Sequence, residues 1–328
     1  MSRIIRPRFE IGMQGFFRFQ TRNKFSGKVT SDTGWFPNTI LNAGRNIMAT
    51  EPTWMTWCQV GTDGTFPPLL VDRQNETTLG AWHAGTNVIV SGSVTNGQSG
   101  TAPYYGWKRK TWRFDAGTVN TNLSEAAVGW GIGGPATPDT IISRAPILDP
   151  ILGTPTTVTP LIDEMLDVSY ELRYYAPVTD ILLPQVTLDG VVYDTITRAA
   201  NATGGGWSDY IGDKIGYYVF DSTTWHATDG PLGAVNSSPS GNLAASTSGI
   251  YSNGSYSANS YEITVGIAIG SLGWNTGAGG IQSIRIATTA GWYQTQFNSN
   301  PGGLSIPKDN TYQMDMKWTL SWAEYVTP

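Results

Sequence analysis

The sequence predicts an all-β protein, an antiparallel sandwich or jelly-roll-like fold with at most one short helix near residues 38–50. Three observations carry this. Two stretches alternate with a period of two: Leu166, Val168, Tyr170, Leu172 and Tyr174 against Asp167, Ser169, Glu171, Arg173 and Tyr175, and later Tyr312, Met314, Met316, Trp318, Leu320 and Trp322 against Gln313, Asp315, Lys317, Thr319 and Ser321. Successive strand side chains point to opposite faces, so each is a strand with one apolar side. The remaining apolar runs are short and bounded by Gly, Pro, Asn and Ser, which punctuate strands. Charged residues make up only 14% of the chain, against roughly 25% in ordinary globular domains. With 39 Gly, 13 Trp and 15 Tyr, this composition suits sheets, tight turns and surfaces covered by other subunits.

The elements follow in order. Phe9–Phe19 and Lys24–Phe36 read as a first pair of strands with Gly-containing turns. Asn38–Thr50 is the helix candidate, with Asn at either of two cap positions and Ile47 and Met48 to bury. Trp54–Val60 is a buried strand, and GTDGTFPP after it a loop. Thr86–Val94 reads as a strand, and Tyr104–Phe114 as an exposed or interface strand in which Arg109, Thr111 and Arg113 share one face. Leu123–Trp130 is a strand running into a Gly-rich bend. Thr140–Leu148 and the Thr- and Pro-rich run GTPTTVTP lead as an extended arm into the strand at 166–175, around which the chain is organised. Asp189-Gly190 between apolar runs marks a hairpin. Lys214–Phe220 is a short strand, residues 228–260 a long polar loop, and YEITVGIAIG, IQSIRIATT, GWYQTQF and Thr311–Tyr325 the closing strands. Two arrangements satisfy the pattern: one sandwich with residues 176–260 inserted, or two β lobes meeting near residue 200. Residues 1–30 form a basic arm and first strands, 31–200 a β domain, and 201–328 a second lobe or a continuation of the same sandwich.

Formal net charge is −5, which argues against general or sequence-specific nucleic-acid binding. The N-terminus is locally basic, with Arg3, Arg6 and Arg8 followed by Arg18, Arg22, Lys24 and Lys28. Arg3, Arg6 and Arg8 are read as a docking arm for a neighbouring subunit; the competing reading is a solvated strand edge. No apolar run reaches the roughly 20 residues of a membrane span, and no apolar segment follows the basic start as in a secretion signal. The single Cys58 allows no internal disulfide and reads as a small buried residue. His83 and His226 have no second ligand at motif spacing, so no metal site is expected. Asp163, Glu164, Asp167 and Glu171 cluster; paired carboxylates serve glycoside hydrolysis, but Asp167 and Glu171 also belong to the polar face of a strand that needs polar residues. GWGIGGP and NATGGGW lack the Lys-Ser/Thr of a phosphate loop. No catalytic, cofactor or metal residue is assigned. Trp and Tyr on a β scaffold either stack on sugars or fill cores and interfaces, and the number present favours cores and interfaces.

Several segments together resemble structural proteins of tailed-bacteriophage virions. NTILNAGRNIM followed by CQVGTDGTFPPLLVDRQNETTLGAW is similar to an "N-x-I-x-N-x-G" segment preceding a "VGTG…P…T…L" loop. RFDAGTVNTNLSEAAVGWG is similar to "R-F-x-x-G…N-L-x-E-x-G", and SRAPILDPILGTPTTVTPLIDEMLDVSYELRYY to "SRA…D…G-P-T-T-I-T…DE-x-L-x-V-x-Y-E-L-R". Tyr293, Gln294, Phe297, Pro307, Lys308 and Trp322 resemble the closing segment. The resemblance implies a tail, neck or collar, or fibre component that assembles as a homo-oligomer in the host cytoplasm and docks on other virion proteins. It implies no enzyme activity and no cofactor. Residues 228–260 and the basic arm lie outside it. A host-surface glycan-binding module is the alternative function, and a polysaccharide depolymerase using Asp163, Glu164 or Asp167 a third.

Overall fold

The computed structural model describes residues 2–5, 8–51, 55–62, 69, 82–84, 94–130, 141–177, 179–188, 190–200, 225–228, 231–235, 237, 243–244, 249–269, 280–288, 291–299, 305–307 and 313–326. The first half comprises β1 Ser2–Ile5, β2 Arg8–Asn23, β3 Val29–Asp32, β4 Phe36–Ile40, α1 Asn42–Thr50, β5 Trp57–Gly61, β6 Trp82–Ala84, β7 Val94–Gln98, β8 Tyr105–Phe114, β9 Glu125–Gly129, β10 Ile141–Pro146 and β11 Glu164–Tyr175. The second half comprises β12 Ile181–Leu188, β13 Val191–Ala199, β14 Trp225–Thr228, β15 Leu243–Ala244, β16 Gly249–Asn253, β17 Glu262–Ile269, β18 Ser283–Thr288, β19 Gly291–Ser299 and β20 Gln313–Glu324. The protein is an all-β sandwich.

β2 is the hub. One of its edges pairs antiparallel with β11 from Gly12↔Tyr175 to Asn23↔Glu164. The other is shared end to end by β20, β4 and β3. Its odd-numbered residues Phe9, Ile11, Met13, Phe17 and Phe19 are buried, each such side chain contributing about 1.5–3 kcal/mol. The basic N-terminus belongs to this same line: Ser2 pairs with Gln313 and Arg8 with Thr319, both parallel and with one constant offset. The first and last strands therefore lie side by side. At the other end, Asn23 Oδ1 accepts the N–H groups of Phe25 and Ser26 at 3.1 and 3.0 Å. Gly27, at φ +66°, completes the turn into β3 in the left-handed region that glycine adopts freely.

β11 is central, paired over its length by β2 and β8. Its apolar face is buried as the alternation predicts. Its other face departs from expectation, because Asp167 and Glu171 are buried too. β8, expected to be an exposed or interface strand, sits between β11 and β7 with Trp112 and Phe114 in the core. Two strands fall inside the expected 228–260 loop, β15 and β16. The helix starts later than predicted. Residues 36–40 are claimed by strand pairing as β4, so Leu41 holds the N-cap position with no side-chain cap bond. Asp189 lies outside the described residues, but Leu188 pairs with Val191 and Gly190 has φ +78°, closing the hairpin at the predicted place. The predicted strand at 214–220 and most of that at 86–94 lie outside the described residues.

Two sheets form the layers. The first has 14 strands and follows the path β16-β17-β20-β2-β4-β10-β9-β5-β6, with β11, β8 and β7 branching from β2; the second has 6, in the order β12-β13-β19-β18-β14-β15. β17 and β20, from beyond residue 200, join the same sheet as β2, so the layers divide by pairing rather than by chain position. The sheets meet where Phe9 stacks on Tyr293 at 3.8 Å and Trp318 Nε1 approaches Thr295 Oγ1 at 3.5 Å. The β4-β10-β9-β5 arm shares a core with β2, β11 and β8: Val60, Val128 and Ile142 cluster with Trp112, Phe114 and Tyr170. The opposite, polar face of β8-β11-β2 is left outside this core, and it carries the candidate site.

Candidate functional site

Strand pairing brings three short polar patterns into register on one face. Gln20, Asp167 and Arg113 lie across one row, Arg18, Ser169 and Thr111 across the next, and Phe16, Glu171 and Arg109 across the third. The carboxylates sit beneath the guanidinium groups. Asp167, its side chain 5% exposed, accepts from Arg113 Nε at 2.6 Å and Nη2 at 2.8 Å, and from Arg22 Nε at 2.8 Å. Glu171, 3% exposed, accepts from Arg109 Nη2 at 2.6 Å and from Arg173 Nε at 2.8 Å. The Thr111 and Ser169 hydroxyls bridge the middle row at 2.8 Å. Arg18 Nε donates to Asp32 at 2.9 Å on the β3 side, and this bonding holds the Asp32 carboxyl well below the usual carboxylate range. Trp35 and Trp107 flank Arg109, whose Cζ lies 4.6 and 4.9 Å from their ring centres. Buried carboxylates thus orient a row of partly buried arginines, with Arg109 between aromatic rings.

The row ends in a groove of about 680 Å³ at the C-terminal end of β11. Two tyrosines line it: Tyr175 stacks on Tyr325 at 3.7 Å and 8°. Tyr105 lies 5.0 Å from Tyr175, outside the lining. Gly12 makes the stack possible. A Cβ there would stand 2.7 Å from Tyr325 Cδ2, in the space the ring occupies. Tyr325 is held by its N–H bonding Met13 C=O at 2.8 Å. The Tyr175 hydroxyl and Gln14 Oε1 are 3.2 Å apart, and burial raises the Tyr175 pKa. Ala102-Pro103 and Ala176-Pro177 wall the groove, and Glu10 and Glu324 bring carboxylates to it.

No family model, curated protein or solved structure matches this chain.

The residues singled out from sequence are placed as follows. Asp167 and Glu171 share a face, four residues apart on one strand. That is about 13 Å at strand rise, wider than the roughly 5–10 Å between the two acids of a glycosidase. Glu164 Oε2 accepts the N–H of Leu161 at 2.9 Å, closing a turn, and the Asp163 carbonyl accepts from Lys24 N at 3.0 Å. His83 is opposite Cys58 in the larger sheet and His226 opposite Arg285 in the smaller. Cys58 is fully buried, which pushes its thiol pKa up. No group of three or more His, Cys, Asp or Glu suited to a metal occurs among the described residues, nor does any helix among them have the length and apolarity to cross a membrane. Arg3 lies in β1 opposite Met314, Arg8 pairs with Glu262 at 2.9 Å, and Arg6 is outside the described residues.

Sequence reasoning missed the arginine row. Its signal was present as the matching spacing of Arg18/Gln20/Arg22, Arg109/Thr111/Arg113 and Asp167/Ser169/Glu171. What links the three is register, which local alternation does not specify. The groove had no signal, since Gly12, Pro103, Tyr175 and Tyr325 come from four distant stretches.

Proposed function

We propose that this chain is a structural protein of a tailed-phage virion, of the tail, neck or fibre system, which self-assembles and docks on neighbouring virion proteins. The observation that carries the self-assembly is an apolar end on the main sheet. Phe25 is 82% exposed in the β2–β3 turn, and Leu161 and Ile162 are 60% and 65% exposed before β11. The two segments are tied together by the Lys24 N–H to Asp163 C=O bond. Large apolar side chains grouped on a surface mark an interaction site, and burying each contributes about 1.5–3 kcal/mol. The ordered resemblance described above supports the virion assignment, and the low charge content suits a subunit whose surface is covered by copies of itself.

The experiment is a mass measurement in solution by light scattering, set beside the copy number in intact particles. The wild-type chain is expected to be a defined oligomer, and Phe25→Ser with Ile162→Ser a folded smaller species. A wild-type monomer at particle-assembly concentrations, or a double variant that assembles unchanged, refutes the proposal.

A further inference from the structure

β11 stops pairing with β2 at Gly12↔Tyr175, while on its other edge the Ala176 N–H carries the β8 ladder one residue further, to Tyr104 C=O at 2.9 Å. β2 continues for four more residues toward its start, held on its other edge by β20 from Arg8↔Thr319 onward. Met13 C=O accepts from Tyr325 N–H and Phe9 C=O from the Ser321 hydroxyl, so the odd-numbered carbonyls face β20. Strand geometry then turns the N–H and C=O groups of Arg8 and Glu10 to the side that β11 has vacated. Among the described residues no strand pairs there. The groove occupies that space, and the prolines of its walls, Pro103 and Pro177, have no N–H with which to close the edge.

The charge of the groove is also one-sided. The Glu10 side chain has no cationic partner among the described residues, and Glu324, 48% exposed, reaches only Arg45, at 3.8 Å. The nearby arginines are committed, Arg8 to Glu262 and Arg173 to Glu171. A strand edge unpaired among the described residues, a stacked tyrosine pair and two carboxylates define one kind of occupant. We infer that this groove receives an extended segment of another polypeptide, bearing lysine or arginine, which adds as a strand along Arg8–Ile11 in continuation of β11. Backbone hydrogen bonds supply affinity, and the alternate side chains supply specificity by meeting Glu10 and the tyrosines. The open edge spans about 13 Å, enough for four residues. A saccharide is the less suited ligand, because the Tyr325 ring already stacks on the Tyr175 ring at 3.7 Å and takes the face a sugar would stack on.

The test uses the full chain and fluorescence anisotropy with two labelled heptapeptides, one alternating valine with lysine and one alternating valine with glutamate. The lysine peptide is expected to bind, and to bind more weakly as salt rises. Glu10→Gln should weaken it about fivefold, as loss of a partly screened charge pair does. Thr179→Arg, at an exposed position on the groove wall, should block it by placing a cation in the site. Failure of the lysine peptide to bind, equal binding of the glutamate peptide, or indifference to both substitutions overturns the inference. So does an oligosaccharide that binds wild type and is blocked by Thr179→Arg where the lysine peptide shows nothing.

Discussion

Replacing Asp167 by Asn separates a structural carboxylate from a catalytic one. The substitution keeps the shape of the side chain and removes its charge from a position 5% exposed. Three charge-assisted hydrogen bonds converge on it, two from Arg113 and one from Arg22. At about 4 Å between charge centres and an effective dielectric near 20, each attraction is on the order of 4 kcal/mol before desolvation is subtracted. Breaking a buried pair by removing one partner costs about 3–5 kcal/mol. Arg22 and Arg113 keep 28% and 23% side-chain exposure, so both can rehydrate. The expected loss is therefore about 2–3 kcal/mol. Urea unfolding followed by tryptophan fluorescence measures it, and the shift should appear in the midpoint without a change in slope. Asp32→Asn is the internal control: its pair with Arg18 is about one-third exposed and should cost under about 1 kcal/mol. An Asp167→Asn protein within about 0.5 kcal/mol of wild type, the scatter of ordinary surface substitutions, would refute the anchoring role.

Two further predictions rest on other buried charges. Glu125 and Arg144 form a pair with side chains 0% and 2% exposed and 3.4 Å apart. Glu125→Gln should lower unfolding free energy by about 3 kcal/mol or more, read by the same denaturation. Lys110 lies on the apolar face of β8 with Nζ donating to Met55 C=O at 2.7 Å, and burial, aided by Lys108, lowers its pKa to about 8. An unfolded lysine titrates near 10.4, so between these values the unfolded chain binds more protons and stability rises with pH. Melting temperature should climb from pH 8 toward pH 9.5, and Lys110→Met should flatten that slope; an unchanged slope removes Lys110 as its cause.

The basic N-terminus shows how sequence and tertiary readings interact. Arg3 and Arg8 look like a free arm because the local pattern is charge and proline. Their strands pair with β20 at the same offset, more than three hundred residues away in the chain. Removing the first ten residues would therefore also take away a strand of the chain's own sheet and the buried Phe9. Point substitutions at Arg3 and Arg8 are the cleaner test of docking on a neighbour.

The sequence alone determined the strand class, the apolar faces of β11 and β20, the hairpin at Gly190 and the existence of one short helix. Each depends on alternation or turn chemistry within a dozen residues, and side-chain direction along a strand is a local property. Tertiary structure alone decided that Asp167 and Glu171 are anchors beneath arginines, that β4 takes residues 38–40 from the predicted helix, and that β2 outruns β11 to leave an edge with no strand partner among the described residues, beside two stacked tyrosines. Those outcomes depend on which strand lies beside which, and at what offset. Pairing energy is summed over distant segments, so the answer is absent from any one of them.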